Sequence, residues 1–348
     1  MSIVKNQHYI PKFYLRNFSI NDKNIGMFMY KENKYISNAS IKSVAYSEFL
    51  YGEDGKLEHL LGKFESKWAK AIKKIIKLGL YSLIDDDFID LCSFILISKN
   101  RTKKVADENK LLFNYLKELI PEEGIHNSNC NMSRSDFDQA MKIPNEVPID
   151  VAIKNIDILY DLNAIVLENR TSYEYITCDS PVVFYNQFYV WRNYKINYGL
   201  ACSGLQIFIP LSPKKILCLY DPEVYDCLND EKGVVKIISK KQVTEINKLV
   251  IYNAYDLIFF CDETKESYID ELSKFKVSDN SDQLISNYES SDSNDQLIRV
   301  GKSSIHEKIK LDFFNIKRKY KTIELPNNCA GLQRKNATYI KIRNNMGM

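Results

Sequence analysis

Three polar side chains in this sequence could together move protons and hold an anion: His8, Arg101 and Asp179. A histidine transfers protons near neutral pH. An arginine keeps its charge and presents a planar fork to a phosphate or oxyanion. An aspartate can orient the histidine or bind a metal. The combination fits phosphodiester or nucleotide chemistry better than acyl transfer, because no Gly-x-Ser-x-Gly elbow is present. Gln7 and Tyr9, on either side of His8, and Ser212 are the candidate substrate contacts. No P-loop, dinucleotide fingerprint, His-Glu-x-x-His or EF-hand loop occurs, so no cofactor is assigned and no metal ligand is named. Asp161 with Glu168-x-Arg170 has the look of a metal-nuclease acidic pair with its basic residue, although charges at strand ends explain that spacing equally well.

Each candidate also has a bland explanation. His8 suits a satisfied core histidine, Arg101 a structural pair with a carboxylate, and Asp179 and Ser212 ordinary turn formation. Position separates these readings, and position depends on the elements around them.

His8 opens the stretch Gln7-His8-Tyr9-Ile10-Pro11-Lys12-Phe13-Tyr14-Leu15-Arg16-Asn17-Phe18. Pro11 suits the first position of a helix. Tyr14, Leu15 and Phe18 then follow at the spacing of one helical face, which should anchor the segment in the core. Leu57–Leu78 reads as an amphipathic helix whose apolar face includes Leu61, Phe64, Trp68, Ile72 and Ile75. Lys63, Lys67, Lys70, Lys73, Lys74 and Lys77 take much of the rest, a row that is either a solvated face or a track for phosphates. Asp85–Leu119 reads as one long central helix, apolar nearly all round at Phe88–Ile97, with Arg101 on the stripe of Phe94, Ile97 and Val105. A guanidinium there must find an acceptor.

A short helix near Ser135–Lys142 and another over Ile149–Leu162 follow. The pattern then becomes short β-type runs: Ala164–Leu167, Tyr173–Thr177, Leu205–Ile209, Ile216–Tyr220, Val234–Ile238 and Leu257–Cys261, with a helix at Gln242–Asn253. Gly26–Tyr30 and Lys34–Ser37 make an early hairpin, and Tyr189–Tyr198 is a loop suited to lining a site. Asp179 and Ser212 both fall at strand ends. The expected fold is α+β: an N-terminal helical half with a long buried central helix, packed on a mixed β-sheet formed mainly by the C-terminal half.

The chain has 348 residues and 45% hydrophobic content, enough for a sizeable core, with 23 tyrosines. A net charge of +3 does not by itself imply a nucleic-acid binder. The eight cysteines stand singly with no Cys-x-x-Cys pair, against a zinc cluster or disulfide framework. No long apolar run opens the chain, so it reads as cytosolic, with no membrane partner. Residues 302–348 carry 11 Lys/Arg against 3 Asp/Glu, net +8, which leaves residues 1–301 at net −5. Three parts follow: residues 1–277 as a single α+β domain, 278–301 as an acidic low-complexity linker, and 302–348 as a basic C-terminal extension. That extension either contacts nucleic acid or folds back on the acidic body.

The opening stretch, Arg101-Thr102, Thr177-Cys178-Asp179-Ser180-Pro181 and Phe208-Ile209-Pro210-Leu211-Ser212-Pro213, in that order, resemble the bacterial domain-of-unknown-function family 4238. The likeness covers roughly residues 5–262. Cys178-Asp179-Ser180-Pro181 stands where the family has Ser-Asp-Asn-Pro, which keeps the aspartate and loses a serine at 178. The resemblance implies no activity. The functional expectation is therefore an enzyme acting on a phosphate-containing substrate, of nuclease or nucleotide-processing kind and of toxin or phage-defence type. Its alternative is a non-catalytic module that binds nucleic acid, nucleotide or another ligand through the lysine-rich helix and basic tail, with the same polar residues structural.

Overall fold

The computed structural model describes residues 5–127, 130–194, 198–261, 264–276, 285–289, 296–300, 304–325 and 331–335. The first of these carries β1 (Asn6–His8), α1 (Lys12–Arg16), β2 (Asn24–Met29), β3 (Lys34–Ser40), β4 (Tyr46–Glu48), α2 (Lys56–Leu78), α3 (Asp85–Asn100) and α4 (Lys103–Leu119). A small hairpin, β5 (Ile125–Asn127) and β6 (Cys130–Met132), precedes α5 (Arg134–Lys142) and α6 (Glu146–Lys154). The next part runs β7 (Asn163–Asn169), β8 (Thr177–Cys178), β9 (Val183–Tyr185), α7 (Gln187–Trp191), β10 (Gln206–Ser212), β11 (Lys215–Tyr220) and β12 (Tyr225–Cys227). It continues with β13 (Val234–Ile237), α8 (Lys240–Asn253), β14 (Leu257–Phe260) and α9 (Glu266–Ser273). Last come β15 (Ile285–Glu289), β16 (Gln296–Val300), β17 (Phe314–Ile316) and α10 (Arg318–Thr322).

Strand alternation organises the interior. Side chains along a strand point to opposite faces. Val166, Ile207, Ile209, Leu217 and Leu219 therefore enter one core with α1, α2, α3 and α6. Their neighbours Ile165, Leu167, Phe208, Ile216 and Cys218 enter a second core, on the side of α7, α8 and α9. The five-stranded sheet β13-β7-β11-β10-β9 thus has apolar faces on both sides, and it is mixed because β13 runs parallel to β7. A four-stranded sheet, β3-β2-β14-β8, joins the N-terminal hairpin to the C-terminal half. The α+β class and the largely C-terminal mixed sheet agree with the sequence reading. The second sheet could not be read from sequence, since β2 and β14 are more than 200 residues apart.

The expected continuous helix over 85–119 is two helices. Arg101 leaves helical geometry at φ −92°, ψ 3°, and Thr102 then caps α4 by accepting the Val105 N–H at 3.3 Å. Asn145 holds the break open by donating to the carbonyls of Asn100 and Thr102. The helix expected over Ile149–Leu162 is α6 followed by a 3-10 turn at Ile156–Leu159. Pro148 lies in the first turn of α6, where its missing N–H costs nothing. Of Tyr173–Thr177 only Thr177 is in a strand. The Asn169 and Thr171 side chains bind backbone at 171 and 173 and compete with a ladder. The Tyr189–Tyr198 loop begins inside α7; residues 195–197 lie outside the described residues.

Within 278–301, the stretch expected to be an acidic linker, β15 pairs antiparallel with β16; the rest of that stretch lies outside the described residues. The basic extension folds back on the body over 304–325. Ile309, Leu311, Phe313 and Phe314 are buried in the second core, and β17 pairs with β12. Arg334 is also buried, paired with Asp161. Among the described residues no helix is long and apolar enough to cross a membrane.

Candidate active site

β1 pairs with β4 so that His8 stands opposite Tyr46. Ala45 and Phe49, on either side of β4, adopt φ values of 52° and 51°. Left-handed backbone at non-glycine residues is strained and persists only where the surroundings over-determine it. Here they do: the Tyr9 N–H donates to the Ala45 carbonyl and the Phe49 N–H to that of Lys5. Gln7, fully buried, donates from Nε2 to the Gly52 carbonyl at 2.9 Å and accepts the Tyr51 N–H. It is a staple across the turn and has no free face for a substrate.

Arg101 is 1% exposed. Its Nε donates to the Tyr51 hydroxyl at 3.1 Å, Nη1 to Glu65 at 2.8 Å and Nη2 to the His8 backbone carbonyl at 2.7 Å. The Tyr51 hydroxyl in turn donates to the Arg101 carbonyl. Burial alone would lower the guanidinium pKa, but Tyr51 and Glu65 outweigh it and hold the charge above its ordinary value. Burial pushes the Tyr51 hydroxyl up to about 12 in spite of the adjacent cation. Arg101 thus meets His8 through the main chain, and each of its nitrogens has a protein partner.

The imidazole is 8% exposed, and Nε2 is buried with no hydrogen-bond partner. Burial, then the Lys12 charge, lowers its pKa to about 4, against the opposing pull of backbone groups at Lys42 and Asn6. The ring is therefore neutral at pH 7. Glu58 provides the complementary group. Its Oε2 is buried without a partner, and burial raises its pKa, opposed by Arg101. Lys12 and Arg101 act on both His8 and Glu58, so the two unpaired groups share one pair of cations. Lys12 is half-buried and makes no ion pair with the described residues.

Asp179 is placed elsewhere. Its carboxylate accepts the backbone N–H groups of Tyr255, Asp256 and Leu257 at 2.7, 2.7 and 2.8 Å, tying the end of β8 to the turn before β14. Burial raises its pKa, and the three amides and Lys276 pull the other way. Burial first, then Asp179, Asp256, Tyr51 and Asp107, raise the Tyr9 hydroxyl pKa. Tyr255 extends the polar surface by donating to Asp107 at 3.0 Å. Ser212 ends β10, and its Oγ accepts the Lys214 N–H of the turn that follows. The opening stretch reaches that motif through Tyr14, whose hydroxyl meets Thr177 Oγ1 at 2.7 Å and the Pro210 carbonyl at 2.6 Å.

The candidate trio therefore does not form a single hydrogen-bonded unit. His8 has a free nitrogen, Arg101 binds the His8 backbone carbonyl, and Asp179 is bonded to the backbone at 255–257. Glu58, Glu65, Lys12 and Tyr51 went unread in the sequence. Glu58 and Glu65 are seven residues apart at the edge of the apolar face of α2, a spacing that puts both on one side of a helix. Asp161 and the Glu168–Arg170 pair are ion-paired, to Arg334 and to each other, as strand-end charges would be.

The fold is α+β, built on a five-stranded mixed sheet and a four-stranded antiparallel one. The family model for proteins of unknown function DUF4238 matches residues 6–264, and the chain belongs to that family. No curated protein and no solved structure matches it.

Proposed function

We propose that the protein is an enzyme acting on a phosphate-containing substrate, with its acid–base chemistry at His8 and Glu58. One observation carries the reading: an unpaired imidazole nitrogen and an unpaired carboxyl oxygen, both buried, share the cations Lys12 and Arg101. One environment disfavours the imidazolium and the other disfavours the carboxylate, which is the pattern of a paired base and acid. In hydrolysis of a phosphodiester, His8 Nε2 accepts the proton of the attacking water as its oxygen bonds to phosphorus. Glu58 gives its proton to the departing ester oxygen as the second P–O bond breaks. The Lys12 ammonium offsets charge on the phosphoryl oxygens. Arg101 and Asp179 are positioning residues in this reading. A cytosolic place of action, as in a toxin or phage-defence effector, belongs to the same proposal.

The test is hydrolysis of bis(p-nitrophenyl) phosphate and of a nucleotide panel by the full chain and by Glu58→Gln and His8→Asn. Each substitution should lower kcat by about 10²–10⁴-fold. The wild-type rate should rise as His8 loses its proton near pH 4 and fall once Glu58 ionises. Wild-type turnover by Glu58→Gln would refute the assignment. The saturated partners of Arg101 and Asp179 favour a second reading, a non-catalytic binding module; phosphate ligands held without turnover would select it.

A further inference from the structure

We infer that α2 is a binding surface for single-stranded nucleic acid, laid along Lys63, Lys67, Lys70, Lys73 and Lys77 and ending on the exposed ring of Tyr81. These lysines recur every three or four residues on the helix side opposite Leu61, Trp68, Ile72 and Ile75, and all five are exposed. Lys74, by contrast, is tied to Asp87. None of the five makes an ion pair among the described residues, although Asp90 feels the charge of Lys67. From Lys63 to Lys77 the row is about 21 Å long in steps of about 4.5–6 Å. That is a row of point charges comparable in spacing to the phosphates of an extended strand. It lies on a body that is net −5 before the basic extension, so it is not a sample of a generally basic surface.

The second observation is aromatic. Tyr81 follows α2 in the chain and is 67% exposed, and Lys232 lies 5.5 Å from its ring centroid. An exposed ring that follows a line of cations in the chain, with a further lysine over it, can stack a base while phosphates sit on the charges, as single strands are held. A duplex keeps its bases stacked inside and has no use for that ring. Glu58 and Glu65 belong to the N-terminal part of the same helix but lie off the lysine row, toward its apolar face. The strand's role as substrate rests on the function proposed above; its binding does not.

The experiment is fluorescence anisotropy of the full chain with a labelled single-stranded 20-mer at 50–200 mM KCl. Contact with four or five phosphates predicts a slope of log K against log salt of about −3. Lys63→Glu/Lys67→Glu/Lys70→Glu/Lys77→Glu, all at exposed positions, should weaken binding by at least about 100-fold and flatten that slope. Tyr81→Ala should weaken it by about 10-fold. Unchanged affinity in the quadruple variant, salt-insensitive binding, or tighter binding of the matching duplex would overturn the inference. His8→Asn should bind the strand as the wild type does. A strand that binds through the lysines yet is never cleaved removes the catalytic reading and leaves this one standing. A quadruple variant that binds normally removes this one, whatever the rate on bis(p-nitrophenyl) phosphate.

Discussion

Acidification should destabilise this protein through His8, and the size of the effect follows from its surroundings. The ring titrates near 6.5 in the unfolded chain and near 4 in the folded one, because burial and Lys12 disfavour the imidazolium. Between those values the unfolded state binds more protons, so stability is lost as pH falls from about 6.5 to about 4. Integrated from pH 7 to pH 4, the linkage reaches at most about 3 kcal/mol, at 1.36 kcal/mol per pKa unit. Glu58 and Asp179 act in the opposite sense: their folded pKa values are raised, so their protonation favours the folded chain in acid. The total pH dependence therefore mixes signs, and the informative quantity is a difference. Urea unfolding of wild type and His8→Asn should be followed from pH 7 to pH 4, with m-values compared to verify two-state behaviour. The variant should lack about 2–3 kcal/mol of the wild-type loss. Parallel stability curves for the two proteins would refute the burial argument and, with it, a neutral His8 in the site.

Arg101→Met should cost about 3–5 kcal/mol of stability, because it strands the His8 carbonyl and the Glu65 carboxylate. Arg101→Lys should recover only part of that, since an ammonium cannot meet three partners in the geometry of a fork; thermal unfolding of both decides it. Asp179→Ala should cost about 3–5 kcal/mol for three lost charge-assisted hydrogen bonds, and Asp179→Asn about 1–3 kcal/mol for one opposed donor, as read by chemical denaturation. Tyr14→Phe should cost about 1–2 kcal/mol by leaving the Pro210 carbonyl without its donor, and should leave any phosphodiesterase rate unchanged.

The sequence by itself determined the local elements and the apolar faces. Pro11 and the spacing of Tyr14, Leu15 and Phe18 specify a buried anchor, and all three side chains are fully buried. The periodicity of α2 and the alternating runs of β7, β10 and β11 are likewise local properties, set by residues a few positions apart. It also identified Arg101 as a cation that had to be paired. Tertiary structure decided the partner. Glu65, Tyr51 and the His8 carbonyl are 36, 50 and 93 residues from Arg101, and no periodicity encodes such distances. The break in the helix at Arg101 has the same origin, since Asn145 and the Thr102 cap together outbid continued helix. Asp179 looked like a site residue because an aspartate at a strand end suits a site and a turn alike. Only the packing of β8 against the 255–257 turn spends its carboxylate on backbone. Glu58 stayed hidden for the converse reason: on a helix rich in lysine it reads as one more surface charge, and only the fold buries its oxygen and leaves it unpaired.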